Sequence, residues 1–264
     1  MDRRRLERII LLILALLNVF LLTVVLSDSA EARRSSAETI ASATALLEEN
    51  GIAVADGALQ LESAPVPCTL TRDLQKEGDM LRKLIGPFRQ EDQGGNIIFY
   101  RGDKGQALLR GSGELDVLMD SGSVRLRGSR ERTAQKALRR MGVTILPTEE
   151  GDGAFYCALE GTPVYNAVLD FGFSDTSLQT ISGTWLFGSV SRQTETQGLD
   201  SVSALLRFLE IVRSEGYICS RVERVEPGYL MTLTRSGEAE LTPVWRISTD
   251  TGALMIDAET GRLT

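Results

Sequence analysis

The sequence has no histidine, three cysteines and two tryptophans, and each scarcity closes off a class of function. Without His, the usual general base, the commonest metal ligand and the natural switch near neutral pH are missing. A Ser nucleophile would then need Lys as its base, yet no S-x-x-K and no G-x-S-x-G occurs. Cys68, Cys157 and Cys219 are an odd number and include no C-x-x-C, so they form no closed disulfide framework. They read as buried, chemically idle thiols, with one pair plus one free thiol as the alternative. Two Trp and five Tyr are too few for the exposed aromatic platforms of a glycan binder. Gly111-Ser112-Gly113 and Gly151-Asp152-Gly153 both lack the third glycine of a dinucleotide loop, and there is no P-loop. No cofactor and no metal site is expected.

Charge is missing from one stretch altogether. Residues 9–26, IILLILALLNVFLLTVVL, are 18 in number, and only Asn18 and Thr23 are polar. As a helix this run spans roughly 27 Å, close to the ~30 Å hydrocarbon core of a bilayer. Arg3, Arg4, Arg5 and Arg8 precede it, so the positive-inside rule places residues 1–8 in the cytoplasm and everything after Leu26 outside. A cleaved signal peptide is the rival reading, with Ala30-Glu31-Ala32 as its cleavage site. The apolar run is longer than the ~7–15 residues of a signal core, which favours an uncleaved anchor. Within the run, Leu11, Leu14, Ala15, Leu21, Leu22 and Val25 share the face of Asn18 by three- and four-residue spacing. That face joins a small residue to an amide able to bond a neighbouring helix, and is the expected partner contact in the membrane.

Setting aside the four Arg and two acids of the tail, the totals of 29 basic and 36 acidic residues leave 25 and 34, a net of −9. An acidic main body argues against nucleic acid, which needs a basic stripe to meet phosphates. The 42% hydrophobic content suffices for a core.

Residues 27–37 are small and polar and read as a juxtamembrane stalk. A helix follows from Glu38 and stops at Asn50-Gly51, where both residues tolerate a left-handed backbone. Ile52–Leu61 reads as two strands around the turn dipeptide Asp56-Gly57. Residues 70–86 read as a second helix, and strands follow at Asn96–Tyr100, Gln106–Arg110, Leu115–Met119 and Val124–Arg127. The order then restarts with helix Glu131–Met141 and strands at Val143–Leu146, Ala154–Leu159, Thr162–Asp170 and Ile181–Phe187. A further helix, Leu199–Ser214, precedes strands at Ile218–Val225, Gly228–Thr234, Thr242–Ser248 and Ala253–Asp257. Thr162-Pro163-Val164-Tyr165 and Thr242-Pro243-Val244-Trp245 open comparable strands 80 residues apart.

The expected fold class is therefore α+β: an N-terminal transmembrane helix (9–26), then an extracytoplasmic domain of antiparallel sheets with helices packed on them. A duplicated helix-plus-strands unit divides it into residues 38–128 and 129–264. Carboxylates are plentiful, and Asp116, Asp120, Asp170, Asp175, Asp250, Asp257 and Glu259 come into question as a glycosidase pair. Several sit beside Gly or Thr in turn contexts, where backbone geometry accounts for them. No catalytic residue is assigned, and the chain is not expected to be an enzyme.

The start, Met1-Asp2 with its basic stretch and Leu17-Asn18-Val19-Phe20-Leu21-Leu22, resembles that of the YycI/YycH regulatory proteins. The C-terminal part is closer still. A Leu-rich helix (199–214) leads into Ile218-Cys219-Ser220-Arg221-Val222-Glu223 and Glu226-Pro227-Gly228-Tyr229. Leu241-Thr242-Pro243-Val244-Trp245-Arg246-Ile247 and Ile256-Asp257-Ala258-Glu259-Thr260-Gly261 follow. Over residues 198–264 this order resembles the YycH-like domain of that family, and its terminal wording also resembles PepSY-type α+β units. The resemblance implies a membrane-anchored, non-enzymatic accessory protein of a two-component system governing cell-wall metabolism in Gram-positive bacteria. Its implied partners are the sensor histidine kinase and a paralogous membrane regulator. A PepSY-like inhibitor or chaperone of an envelope or secreted protease is the alternative, and a cell-wall hydrolase ranks third.

Overall fold

The computed structural model describes residues 35–148, 153–185, 187–193, 198–234 and 238–264. Residues 1–34 lie outside these, and with them the expected tail, the membrane run with its Asn18 face, and most of the expected stalk. No helix among the described residues is long and apolar enough to cross a membrane.

Local chemistry sets the helix ends. Helix α1 covers residues 35–49, so it takes in residues 35–37 of the expected stalk; Thr39 and Ser42 donate back to the carbonyls of Ser35 and Glu38. It ends at Gly51, φ +81. Helix α2 (Leu74–Ile85) begins at Asp73, whose carboxylate accepts the amides of Gln75 and Lys76. The three residues expected to open this helix, 70–72, instead belong to a strand, β2 (Cys68–Arg72), in which two β-branched threonines alternate with buried Cys68 and Leu70. Helix α3 (Arg130–Met141) is capped by Ser129 and stopped by Gly142 in the left-handed region. Helix α4 (Ser201–Glu215) is capped by Asp200 and stopped by Gly216 in the same way.

The strands are β1 (Ala53–Val54), β2, β3 (Phe88–Asp92), β4 (Ile97–Gly102), β5 (Gly105–Arg110), β6 (Glu114–Met119), β7 (Thr144–Pro147), β8 (Ala154–Leu159), β9 (Thr162–Phe173), β10 (Leu178–Thr184), β11 (Gly188–Arg192), β12 (Arg221–Leu233), β13 (Glu238–Thr249) and β14 (Gly252–Asp257). They form one mixed α+β architecture around a fourteen-stranded sheet, with a main path of β11-β2-β13-β12-β9-β10-β6-β5-β4-β3. Three times a helix is followed by consecutive antiparallel strands: α2 by β3–β6, α3 by β7–β10, and α4 by β12–β14. All pairs are antiparallel except β1 with β12 and β9 with β12.

Three expectations are corrected. Ile52–Leu61 forms no hairpin; Ala53–Val54 pairs in parallel with Arg221–Val222 instead. Pro227 does not split the strand around it. The chain runs from Arg221 to Leu233 as one strand, with Pro227 opposite Trp245 in the ladder to β13. Val124–Arg127 contributes a single bridge, Arg125 to Ser177, rather than a strand.

Two cores fill the space between helices and sheet. The larger gathers α2 and α3 against β2, β4–β6 and β8–β10, with Leu81, Ile85, Tyr100, Leu138, Leu169 and Ile181 almost fully buried. The smaller packs α1 and α4 on β12–β14 through Leu47, Leu205, Phe208, Trp245, Ile247 and Ile256. β6 and β10, on either side of the expected 128/129 boundary, pair with each other, so both regions share the sheet. The link from β9 to β12 is narrow, a single Val164–Tyr229 pair. The Asn166 amide extends it by donating to the Met231 carbonyl and accepting the Met231 N–H, both at 2.8 Å.

Candidate functional site: a cleft on the second face of the C-terminal strands

Side chains alternate faces along a strand. On β13, Trp245 and Ile247 point to α4, and Trp245 Nε1 donates to the Leu199 carbonyl at 2.8 Å. Val244, Arg246 and Ser248 must then point the other way, and the register adds Arg224 and Glu226 from β12 and Ala253 and Met255 from β14 to that face. This second face is covered as well: Val244 is fully buried, Arg246 is 9% exposed and Ser248 5%. The cover is the β7–β9 layer, which brings Tyr156 and Tyr165 over it.

The two tyrosine rings meet edge to face, with centroids 5.4 Å apart. The Arg246 guanidinium lies over the Tyr165 ring at 5.3 Å, an arrangement in which a desolvated cation–π contact holds both groups in place. Gly228 makes room for that ring, since a Cβ there would lie 2.2 Å from Tyr165 Cε2. A recess of about 350 Å³ opens here between Pro147, Tyr156, Tyr165, Arg224 and Arg246. It adjoins a second of about 760 Å³ that reaches Ser248 and Met255. Within it the Ser248 hydroxyl is buried with no hydrogen-bond partner among the described residues. Such a group costs free energy unless another molecule meets it.

The cleft is walled by a cation and two aromatic rings, with Arg246 and Tyr165 mostly buried and the unmet Ser248 hydroxyl beneath its surface, groups of the kind found at the centres of protein interfaces. Sequence alternation already places Trp245 and Arg246 on opposite faces. The second layer is missed, although Val244, an apolar residue on the same face as Arg246, is its signal.

The carboxylates considered for catalysis are dispersed. Asp116 accepts from Arg110 at 3.0 Å, and Asp257 accepts the amides of Glu259 and Thr260 within its own turn. Asp250 accepts the Ser220 hydroxyl at 2.6 Å and the amides of Ser220 and Arg221. Chiefly through the Ser220 hydroxyl, these bonds hold its carboxyl below the usual range. Asp116 and Asp170 flank Ser182 in register, two strand spacings or about 10 Å apart. No group of three or more metal-binding side chains occurs among the described residues. All three cysteines are free. Burial raises the thiol pKa of Cys157, and burial followed by the Asp250 charge raises that of Cys219.

No family model matches the chain, and no curated protein matches it. Among solved structures, it is similar to an uncharacterized protein from Eubacterium rectale, at 12% identity and a TM-score of 0.47 over 81% of this chain and 89% of that one. It is also similar to the Bacillus megaterium YpeB C-terminal domain, at 11% identity and a TM-score of 0.39 over 74% of this chain and 96% of that one.

Proposed function

We propose that the chain is a non-enzymatic regulator anchored in the plasma membrane by residues 9–26, with residues 27–264 outside the cell. In this reading it binds and adjusts a sensor histidine kinase that controls cell-wall metabolism. The observation that carries the binding half is the cleft of Tyr156, Tyr165 and Arg246, with the Ser248 hydroxyl beneath it unmet among the described residues. The topology rests on the uncharged run and the arginines before it, and the choice of partner on the resemblance to YycI/YycH proteins. The threefold recurrence of a helix followed by antiparallel strands supports duplicated, PepSY-like units as the building plan.

Ser248→Ala separates binding from folding. Removing an unmet buried hydroxyl leaves the fold as stable or more so. A partner that bonds it loses about 1 kcal/mol, roughly five-fold in affinity. Full-length chain carrying this change, pulled down from membranes, should melt no lower than wild type and recover several-fold less kinase. Equal recovery would remove the cleft from the contact, and recovery of a peptidase in place of the kinase would favour the protease-regulator reading.

A further inference from the structure

The chain is acidic on average, but the structure collects cations in one place. Lys83 comes from the last turn of α2, Lys104 from the β4–β5 turn, Arg125 and Arg127 from the stretch after β6, and Arg132 and Lys136 from α3. These six line a groove of about 530 Å³ whose walls include no carboxylate. None of the six has an ion-pair partner among the described residues. Elsewhere some surface cations are paired, as in Arg82–Asp79, Arg110–Asp116 and Arg207–Glu210, and others such as Arg89 and Arg213 stand singly rather than in a cluster among the described residues.

The backbone beneath them is fixed. Leu126 N–H bonds the Thr176 carbonyl at 2.8 Å, and Leu178 N–H bonds Val124 at 2.9 Å. The Gly122 amide donates to the buried Ser177 hydroxyl. The Arg127 amide donates to Thr133 Oγ1, which donates in turn to the Ser129 carbonyl. Lys104 N–H bonds the Ile85 carbonyl at 3.0 Å. Ser129 caps α3 at this end, so the positive pole of that helix adds to the field.

Each cation alone has an ordinary explanation: Lys83 offsets the C-terminal dipole of α2, and Arg132 and Lys136 form a solvated helix face. Those explanations do not account for four separate segments converging on one acid-free cavity. Unrelieved like charges oppose folding, and guanidinium forks match the oxygens of a phosphate. The volume falls within the ~300–1,000 Å³ of small-molecule sites.

We infer that this groove is a binding site for a phosphate-bearing anion, a phosphomonoester or phosphodiester. The inference does not depend on the kinase reading. Its test is thermal melting of the full chain in nonionic detergent, at matched ionic strength, in two arms. One arm adds inorganic pyrophosphate against sodium chloride; the other dopes the micelles with phosphatidylglycerol against phosphatidylcholine. At about a hundredfold excess over Kd the anion should raise the melting temperature by roughly 5–10 °C. Arg127→Gln combined with Lys136→Gln should lose at least half of that shift, whereas Arg89→Gln with Arg213→Gln should keep it. A shift with pyrophosphate alone identifies a soluble phosphate, and a shift with phosphatidylglycerol alone identifies a lipid headgroup. No shift in either arm, or a full shift in the groove variant, overturns the site. Without anion, the groove variant should melt at or above wild type because repulsion is relieved. A lower value would show that Arg127 and Lys136 serve the fold instead.

Discussion

Glu77 is 1% exposed, a buried acid on the same face of α2 as Leu81, Leu84 and Ile85 by three- and four-residue spacing. Arg72 Nε and Nη2 donate to its two oxygens at 2.8 and 2.9 Å, and the Tyr100 hydroxyl donates at 2.7 Å. Burial, with Glu77 second, keeps the Tyr100 hydroxyl protonated far above its usual range. Breaking a buried pair by removing one partner strands the other charge. Glu77→Ala should therefore cost about 3–5 kcal/mol in denaturant melts, with Glu77→Gln costing less. Asp250 provides a different residue-scale test. Its folded pKa lies below the unfolded one, so its contribution is present above the unfolded value of about 3.9 and is lost as pH falls through the folded value. The gap in melting temperature between wild type and Asp250→Ala should be widest near neutrality and close below about pH 4. A gap that does not change with pH would mean that Asp250 does not hold the Ser220 end of β12 through its charge.

At the scale of elements, the β12–β13 ladder is the longest in the sheet, running from Val222–Thr249 to Leu233–Ala239. It serves α4 on one face and the cleft on the other. Trp245 links both roles: its ring is fully buried against α4, and its indole N–H holds Leu199 just before the α4 cap. Truncating a buried Trp costs ~3–5 kcal/mol. Trp245→Ala should lower the melting temperature strongly and reduce partner capture only in proportion to unfolding. Full stability with lost capture would make Trp245 a contact residue. Gly228→Ala acts from the opposite face, because its methyl group collides with the Tyr165 ring. Near-native melting with weakened capture would tie that ring to binding, and unchanged capture would remove it.

For the whole molecule, attachment and partner choice are the properties to measure. If the Asn18 face meets the helices of a kinase, the amide supplies a modest bond, ~0.6 and at most ~1–2 kcal/mol. Asn18→Leu should then leave insertion and folding intact but weaken association in a membrane two-hybrid assay, with Leu16 and Val19 substitutions doing less. Equal association would shift recognition to the outer domain and its cleft. Protease added to intact protoplasts should digest residues 27–264, whereas a soluble form starting at Arg33 would establish a cleaved signal peptide.

Helix ends and single strands were legible in the residues because their causes are local. Gly142 and Gly216 stop α3 and α4 where the sequence places their ends, and strand patterning marked β5, β6 and β8, while the caps Ser129 and Asp200 were not singled out. The same local patterning placed Trp245 in a core and Arg246 opposite it. What residues far apart in the chain do to one another was not legible. Pro227 looks like a strand break until β13 supplies a partner for its flanks, and Ala53–Val54 becomes a strand only beside Arg221–Val222. Glu77 shares the apolar face of its helix, but the partners that make its burial tolerable, Arg72 and Tyr100, come from other strands. The second layer over Arg246 needs β7–β9 folded back on β12, and the basic groove needs four segments brought together. The run from Arg125 to Lys136 hints at that groove, but an average charge of the opposite sign hides it. Composition fixes which groups exist, while hydrogen-bond pairing and burial between distant segments fix which of them meet.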